Sequence, residues 1–167
     1  MARRDDEFWM REALLEAQKT QRSAQNPALP DDVPVGAICV LDGQIIGRGH
    51  NERELRLDPT AHAETICLRE AAKTLGDSFL KGATLYVTLE PCPMCAGAIW
   101  LSRLERVVFG AFDARAGACG SVFDVVRDPR LNHQTQLRGG VLEAQCIAVL
   151  QEFFTNLRRH EQGDMSK

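Results

Sequence analysis

Two short stretches restrict the fold of this chain more than any other feature: His62-Ala63-Glu64 and Pro91-Cys92-Pro93-Met94-Cys95. Together they offer one imidazole, two thiols and one carboxyl. Zinc takes nitrogen and sulfur donors in a tetrahedron, and a catalytic site uses three protein ligands and leaves the fourth position to water. His62, Cys92 and Cys95 are the three expected ligands. Glu64 is then free to handle the protons of the bound water. A fold that serves this set must carry both stretches to one point.

Each stretch falls where a strand-end loop is expected to run into a helix. A helix N-terminus presents free N–H groups and a positive dipole end, which favour the thiolate forms that bind metal. Two residues between Cys92 and Cys95 let both sulfurs of one turn reach one ion. His62 and Glu64 are harder to reconcile. Side chains two apart on a regular helix diverge by about 200°. His62 is therefore expected at the cap or first turn, with Glu64 reaching around from the next turn. Zinc lowers the pKa of bound water from 15.7 toward about 7. The attack would fall on an electron-poor ring carbon bearing an amino group. Glu64 would pass the water proton to the adjacent ring nitrogen and later protonate the leaving ammonia. Cys-x-x-Cys alone also suits a redox pair or half a structural zinc knuckle. The upstream His-x-Glu and the proline before the first cysteine favour catalytic zinc.

The 167 residues suit one domain, with a core over about residues 5–159 and a polar tail over 160–167. No apolar run approaches the roughly 20 residues of a membrane span. The charged start, Met1 to Glu7, lacks the apolar core of a signal peptide. The expectation is a cytoplasmic protein with no membrane association. Of the six cysteines, only Cys92 and Cys95 have ligand spacing. Cys39, Cys67 and Cys146 sit in apolar periodic segments, where free cysteine behaves as a small hydrophobe. That usage fits a reducing compartment. The net charge of -3 gives no support to a nucleic-acid binder, so any phosphate contact needs a local patch.

Along the chain, helical periodicity marks Phe8 to Arg22, and Ser23 to Asp32 reads as a loop. Val35–Leu41 and Gln44–Gly47 flank Asp42-Gly43, a strong hairpin signal. Asn51 to Pro59 reads as a loop, Ala61 to Leu75 as a helix with Ile66, Leu68, Ala71 and Leu75 as core positions, and Ala83 to Leu89 as a strand. A short helix over Pro93–Ser102, a strand over Arg106–Gly110, a small-residue loop over Ala114–Ser121, a short helix over Ser121–Arg127 and a long helix over Val141–Arg159 follow. Strands alternating with helices after a hairpin imply an α/β sheet covered on both faces. His50 and His160 read as solvated, His133 as structural, Asp113 as a turn or helix cap, and Asn51 as a turn residue. Phe153-Phe154 reads as core packing.

The residues around the two motifs resemble the bacterial tRNA-specific adenosine deaminases, which convert the wobble adenosine of an anticodon to inosine. The resembling stretches are Val33 to Ala37, Asp58 to Glu64, Thr88 to Ala98, Val108 to Asp113 and Leu131 to Gln134. The zinc motif alone marks only the wider deaminase superfamily. The resemblance implies a three-layer α/β/α cytidine deaminase-like fold, a mixed five-stranded sheet with helices on both faces, and a homodimer. It implies one zinc ion per subunit on His62, Cys92 and Cys95, with Glu64 as proton shuttle. Asn51 matches a base-contacting asparagine and Asp113 a substrate-loop aspartate. Val33 and Phe154 would lie near bound nucleotides, and Ala63 and Pro91 belong to the substrate-binding set. The implied partner is a tRNA anticodon stem-loop, whose single-stranded bases are splayed out and read by their edges. Phe112 stands where some members have arginine, which removes one phosphate contact. Two alternatives keep the zinc motif: a deaminase of a free base or nucleotide (cytosine, guanine or a riboflavin precursor), and an RNA-binding subunit with structural zinc. A structural site has no use for Glu64.

Overall fold

The computed structural model describes residues 5–20 and 30–164, with side chains as far as residue 159. Most of the loop expected over residues 23–32, the end of the first expected helix and the side chain of His160 lie outside the described residues. In chain order the elements are α1 (Asp6–Thr20), β1 (Gly36–Leu41), β2 (Gln44–His50), α2 (Arg53–Arg56), α3 (Ala63–Leu75), β3 (Thr84–Leu89), α4 (Pro93–Leu101), β4 (Arg106–Ala111), β5 (Gln136–Arg138) and α5 (Glu143–Asp164).

The hairpin forms where Asp42-Gly43 takes positive φ at both positions, 49° and 72°. Such a turn matches the twist of the strands it joins, and Leu41 pairs with Gln44 across it. The five strands lie in the order β2-β1-β3-β4-β5. β1 runs antiparallel to β2 and β3, while β3, β4 and β5 run parallel. This is the mixed five-stranded sheet that was expected. Residues alternate between two apolar layers. Ala37, Cys39, Leu85, Val87, Val107 and Phe109 pack with α3 and α4 on one face. Ile38, Val40, Tyr86 and Val108 pack with Trp9, Met10 and Ala13 of α1 and Cys146 of α5 on the other. The interiors of β3 and β4 are thus buried throughout because both faces are covered.

Two close contacts place the elements that matter for the site. β2 runs past Gly47 to His50, further than expected. A Cβ at Gly49 would stand 2.3 Å from the carbonyl oxygen of Ala63. Only glycine lets the first turn of α3 press so closely on the sheet. On the opposite face, Asp6 accepts both Nη groups of Arg106 at 2.8 Å, Arg138 Nη1 at 2.5 Å and the Tyr86 hydroxyl at 3.0 Å. This clasp ties α1 to β3, β4 and β5.

Several expectations need correction. Residues 121–127 form turns with a bridge between Cys119 and Asp124, not a helix. Ser121 donates its N–H to Glu90, and Val122 and Phe123 donate theirs to the Gly117 carbonyl, so the amides turn back on the loop. β5 is the fifth strand that the resemblance implies, though no residue pattern marks it. It has three residues, two of them polar, and exists because it pairs with β4. α5 begins at Glu143 because Leu142 adopts φ 51°, and it continues past Arg159 to Asp164. Within Asn51–Pro59, α2 makes one helical turn, its Glu54 and Leu55 N–H groups donated to Asp32. Among the expected core positions of α3, Leu68 and Ala71 are buried, Ile66 is half-buried and Leu75 is exposed. No described helix is long and apolar enough to cross a membrane.

Burial alone would raise the Asp6 pKa, but the hydrogen bonds and charge of Arg106, with Tyr86 and Arg138, hold it below the ordinary carboxylate value. The stability it contributes is present above the unfolded-state value of about 3.9 and is lost as pH falls through the lower folded value. Asp6→Asn should destabilise the fold by about 1–3 kcal/mol at pH 7, and the gap from the parent should narrow below about pH 4. Urea titrations at both pH values check this; a gap that does not change with pH would contradict it.

Candidate active site

His62 is the N-cap residue of α3, with extended backbone at φ -81° and ψ 156°. Ala63 and Glu64 are the first two helical residues. This resolves the divergence expected of a His-x-Glu pair, since only Glu64 obeys the helical angle. Glu64 sits within the first turn, nearer the cap than expected. The approach to the cap is held by His62 N–H on the Thr60 carbonyl at 2.8 Å and by the Thr65 hydroxyl, which donates to Thr60 at 2.5 Å. Cys92 occupies the same place on α4, extended at φ -74° and ψ 172°, with Pro93 at the first helical position. There the missing N–H of proline costs nothing. Cys95 follows one turn on and is fully buried.

The two helix starts bring the donors together. His62 Nδ1 lies 3.7 Å from Cys92 Sγ and 3.5 Å from Cys95 Sγ, and the three ligand atoms lie within 4.8 Å of one another. In a zinc tetrahedron with bonds of about 2.0 Å to nitrogen and 2.3 Å to sulfur, a nitrogen and a sulfur stand about 3.5 Å apart. The donor set fits that ion. Glu64 stands beside it, 4% exposed.

The protons of the cluster follow from its geometry. The Cys95 thiol and His62 both stabilise the Cys92 thiolate, which pulls its pKa down to about 4 despite burial. Cys95 is pushed far up because its proton is held by Cys92 and because it is buried near Glu64. His62 is raised, chiefly by Cys92. Without metal the cysteines therefore hold a proton that metal binding displaces. Burial, with the Cys92 charge, pushes Glu64 up to about 6. A carboxyl in that range can both take and return a proton near neutrality.

Of the remaining expected residues, Ala63 and Pro91 adjoin the donor residues in the chain, and the others lie on separate segments. Asn51 Nδ2 donates to the Val33 carbonyl at 3.1 Å, so these two are held together. The next residue, Glu52, bonds the Ala61 carbonyl, which stitches the pair to the segment before His62. Ala63 is fully buried and Pro91 is buried, its carbonyl accepting the Ala118 N–H at 2.8 Å. Asp113 Oδ1 accepts the N–H groups of Arg115 and Ala116, as a turn cap does. Phe154 lies on α5, 42% exposed, edge-on to the buried Phe153. His133 bonds the Leu104 carbonyl at 2.7 Å, a structural role as expected. His50 is not simply solvated: its ring stands 3.2 Å from Glu16 on one side and 3.2 Å from Glu52 on the other. Glu90 escaped the sequence reading. It is 2% exposed and accepts four hydrogen bonds from the loop that follows β4. The only signal was a carboxylate between an apolar strand and the Pro-Cys motif.

The geometry agrees with the relatives of the chain. The model of the MafB19-like deaminases matches residues 6–158. A tRNA-specific adenosine deaminase of Bacillus subtilis is 48% identical over 95% of this chain and 94% of its own length. One from Aquifex aeolicus is 42% identical over 92% of this chain and 97% of its own. A structure solved in work on A-to-I editing by tRNA:A34 deaminases superposes with a TM-score of 0.77 at 38% identity, covering 86% of this chain and 99% of that one. With donors, fold and relatives in agreement, the chain belongs to the tRNA-specific adenosine deaminase family.

Proposed function

We propose that this protein hydrolyses adenosine to inosine, releasing ammonia, at the wobble position of a tRNA anticodon, the position named A34 in its structural relative. The observation that carries the reading is the convergence of His62, Cys92 and Cys95 beside a buried carboxylate, in a chain 48% identical to a tRNA-specific adenosine deaminase. His62 Nδ1 and the sulfurs of Cys92 and Cys95 would hold one zinc ion per subunit. When bound, the ion supplies Lewis acidity that brings the pKa of a water from 15.7 toward about 7.

The chain's own groups do the rest. Glu64, kept outside the donor set, takes a proton from the attacking water and delivers it to the ring nitrogen beside the reacting carbon. It then carries a proton to the departing amino group, so water and adenosine become inosine and ammonia. Its burial, which raises the pKa of the carboxyl, favours its return of the proton it takes. Asn51, fixed by Val33, would present its amide to the base. Ala63 and Pro91 would line the pocket, while Asp113 and Phe154 would meet flanking nucleotides. RNA recognition of this kind reads unstacked bases and tells RNA from DNA by the 2′-hydroxyl.

The protein acts, in this reading, as a single deaminase domain in the cytoplasm and as a homodimer. Support for the dimer comes from α4, which has no charged residue and leaves Leu101 63% exposed beside a half-buried Trp100. The Trp100 indole N–H is buried without a hydrogen-bond partner among the described residues.

A synthetic anticodon stem-loop should yield inosine, and Glu64→Ala should keep the metal and the fold while losing about 10²–10⁴-fold or more in rate. Turnover of free nucleosides but not of the stem-loop would overturn the substrate, and unchanged activity of Glu64→Ala would overturn the mechanism. In sedimentation, the parent should run as a dimer and Leu101→Glu as a monomer; a monomeric parent would contradict the assembly.

A further inference from the structure

Glu90 is the last residue before Pro91-Cys92, and its carboxylate is shut inside the protein. Oε1 accepts the backbone N–H groups of Cys119 at 3.1 Å and Ser121 at 3.0 Å. Oε2 accepts the backbone N–H of Asp113 at 3.0 Å and the Ser121 hydroxyl at 2.5 Å. All four donors are neutral, and three belong to the backbone. A buried carboxylate is tolerable when several N–H groups converge on it.

The loop closes on this carboxylate so tightly that position 117 must be glycine. A Cβ there would stand 2.4 Å from the Glu90 carboxyl carbon and 2.6 Å from the Asp113 carbonyl oxygen. Neighbouring backbone bonds close the same loop: Ala118 N–H on Pro91, Gly117 N–H on Asp113, and Glu90 N–H on Ala111. Glu90 and Pro91 therefore grip the loop 113–121 while the next residue is Cys92. One short segment thus sets both a metal-ligand residue and the loop that carries Asp113.

We propose that Glu90 is a positioning residue: its carboxylate fixes the loop 113–121 relative to the His62-Cys92-Cys95 centre, and so determines how well the RNA is held there. This inference rests on the deaminase reading for its substrate, but the clasp itself does not. Glutamine is close to isosteric with Glu90, yet it cannot serve all four donors. Whichever oxygen becomes an NH₂ group faces at least one backbone N–H, donor against donor. An unsatisfied buried donor of that kind is costly.

The test uses the full-length zinc-loaded protein. Glu90→Gln should keep its zinc and raise the KM for an anticodon stem-loop by about tenfold or more, with kcat changed much less, the pattern of lost uniform binding. Amide hydrogen exchange at Asp113, Cys119 and Ser121 should quicken by about tenfold, while β3 and β4 stay protected. Loss of zinc, a fall in kcat larger than the rise in KM, or unchanged exchange at the three amides would overturn the proposal. If Glu90→Gln does not fold, Ser121→Ala takes its place. It removes only the hydroxyl donor from an exposed residue and should shift KM and exchange in the same direction by a smaller factor; no shift in either would overturn the proposal. A parent enzyme that makes no inosine from the stem-loop would sink the deaminase reading alone, and the exchange measurement would still decide the clasp.

Discussion

Two helix N-termini aimed at one point are the constraint on which the rest of the structure depends. α3 begins at His62 and α4 at Cys92, and both caps are extended so that their side chains meet. Two positive dipole ends facing one another are unfavourable unless negative charge lies between them. The Cys92 thiolate and the Glu64 carboxyl supply it, and so would a second thiolate at Cys95 once a dication displaces its proton. The burial that raises the Glu64 pKa is set by the same packing. Gly49 lets α3 lie against β2, and the parallel pairing of β3 with β4 delivers Glu90, Pro91 and Cys92 at the end of a buried strand. The layers on either side of the sheet are what hold two helix starts in register.

The chemistry of the centre was legible because it is local. Cys-x-x-Cys reports one helical turn, and the 200° divergence of a His-x-Glu pair was enough to put His62 at the cap. The hairpin was legible for the same reason, since Asp42-Gly43 carries its own backbone preference. What could not be read depended on partners distant in sequence. β5 has too few residues to carry a pattern and owes its existence to β4. Ser121 to Arg127 reads as a short helix, but the Val125 N–H, which a helix would pair with Ser121, bonds the Ala118 carbonyl, and Asp124 bridges to Cys119. His50 lies between Glu16 and Glu52, one of them 34 residues away. Burial of a charged residue such as Glu90 is visible only when its donors are.

The surroundings of the centre divide in the same manner. Asn51 and Val33 were singled out separately, by resemblance, and prove to be hydrogen-bonded to one another. Asp113 keeps one oxygen on its own turn and gives its N–H to Glu90. The loops that would meet RNA are thus braced by buried groups rather than hanging from the fold. In the proposed function this separates two tasks: the helix caps would assemble the reactive centre, and the braced loops would decide what reaches it. The negative net charge of the chain leaves such local shape with more of the work of recognition than overall electrostatics.

The central claim is that two helix caps and one helical turn make a single metal site with an imidazole and two thiolates. X-ray absorption at the zinc edge of the purified protein measures that most directly. The account predicts one zinc per chain with two sulfur donors at about 2.3 Å and one imidazole nitrogen at about 2.0 Å, completed by a light oxygen donor. A site with four protein donors, a carboxylate from Glu64 among them, or a zinc held by sulfur alone would contradict it.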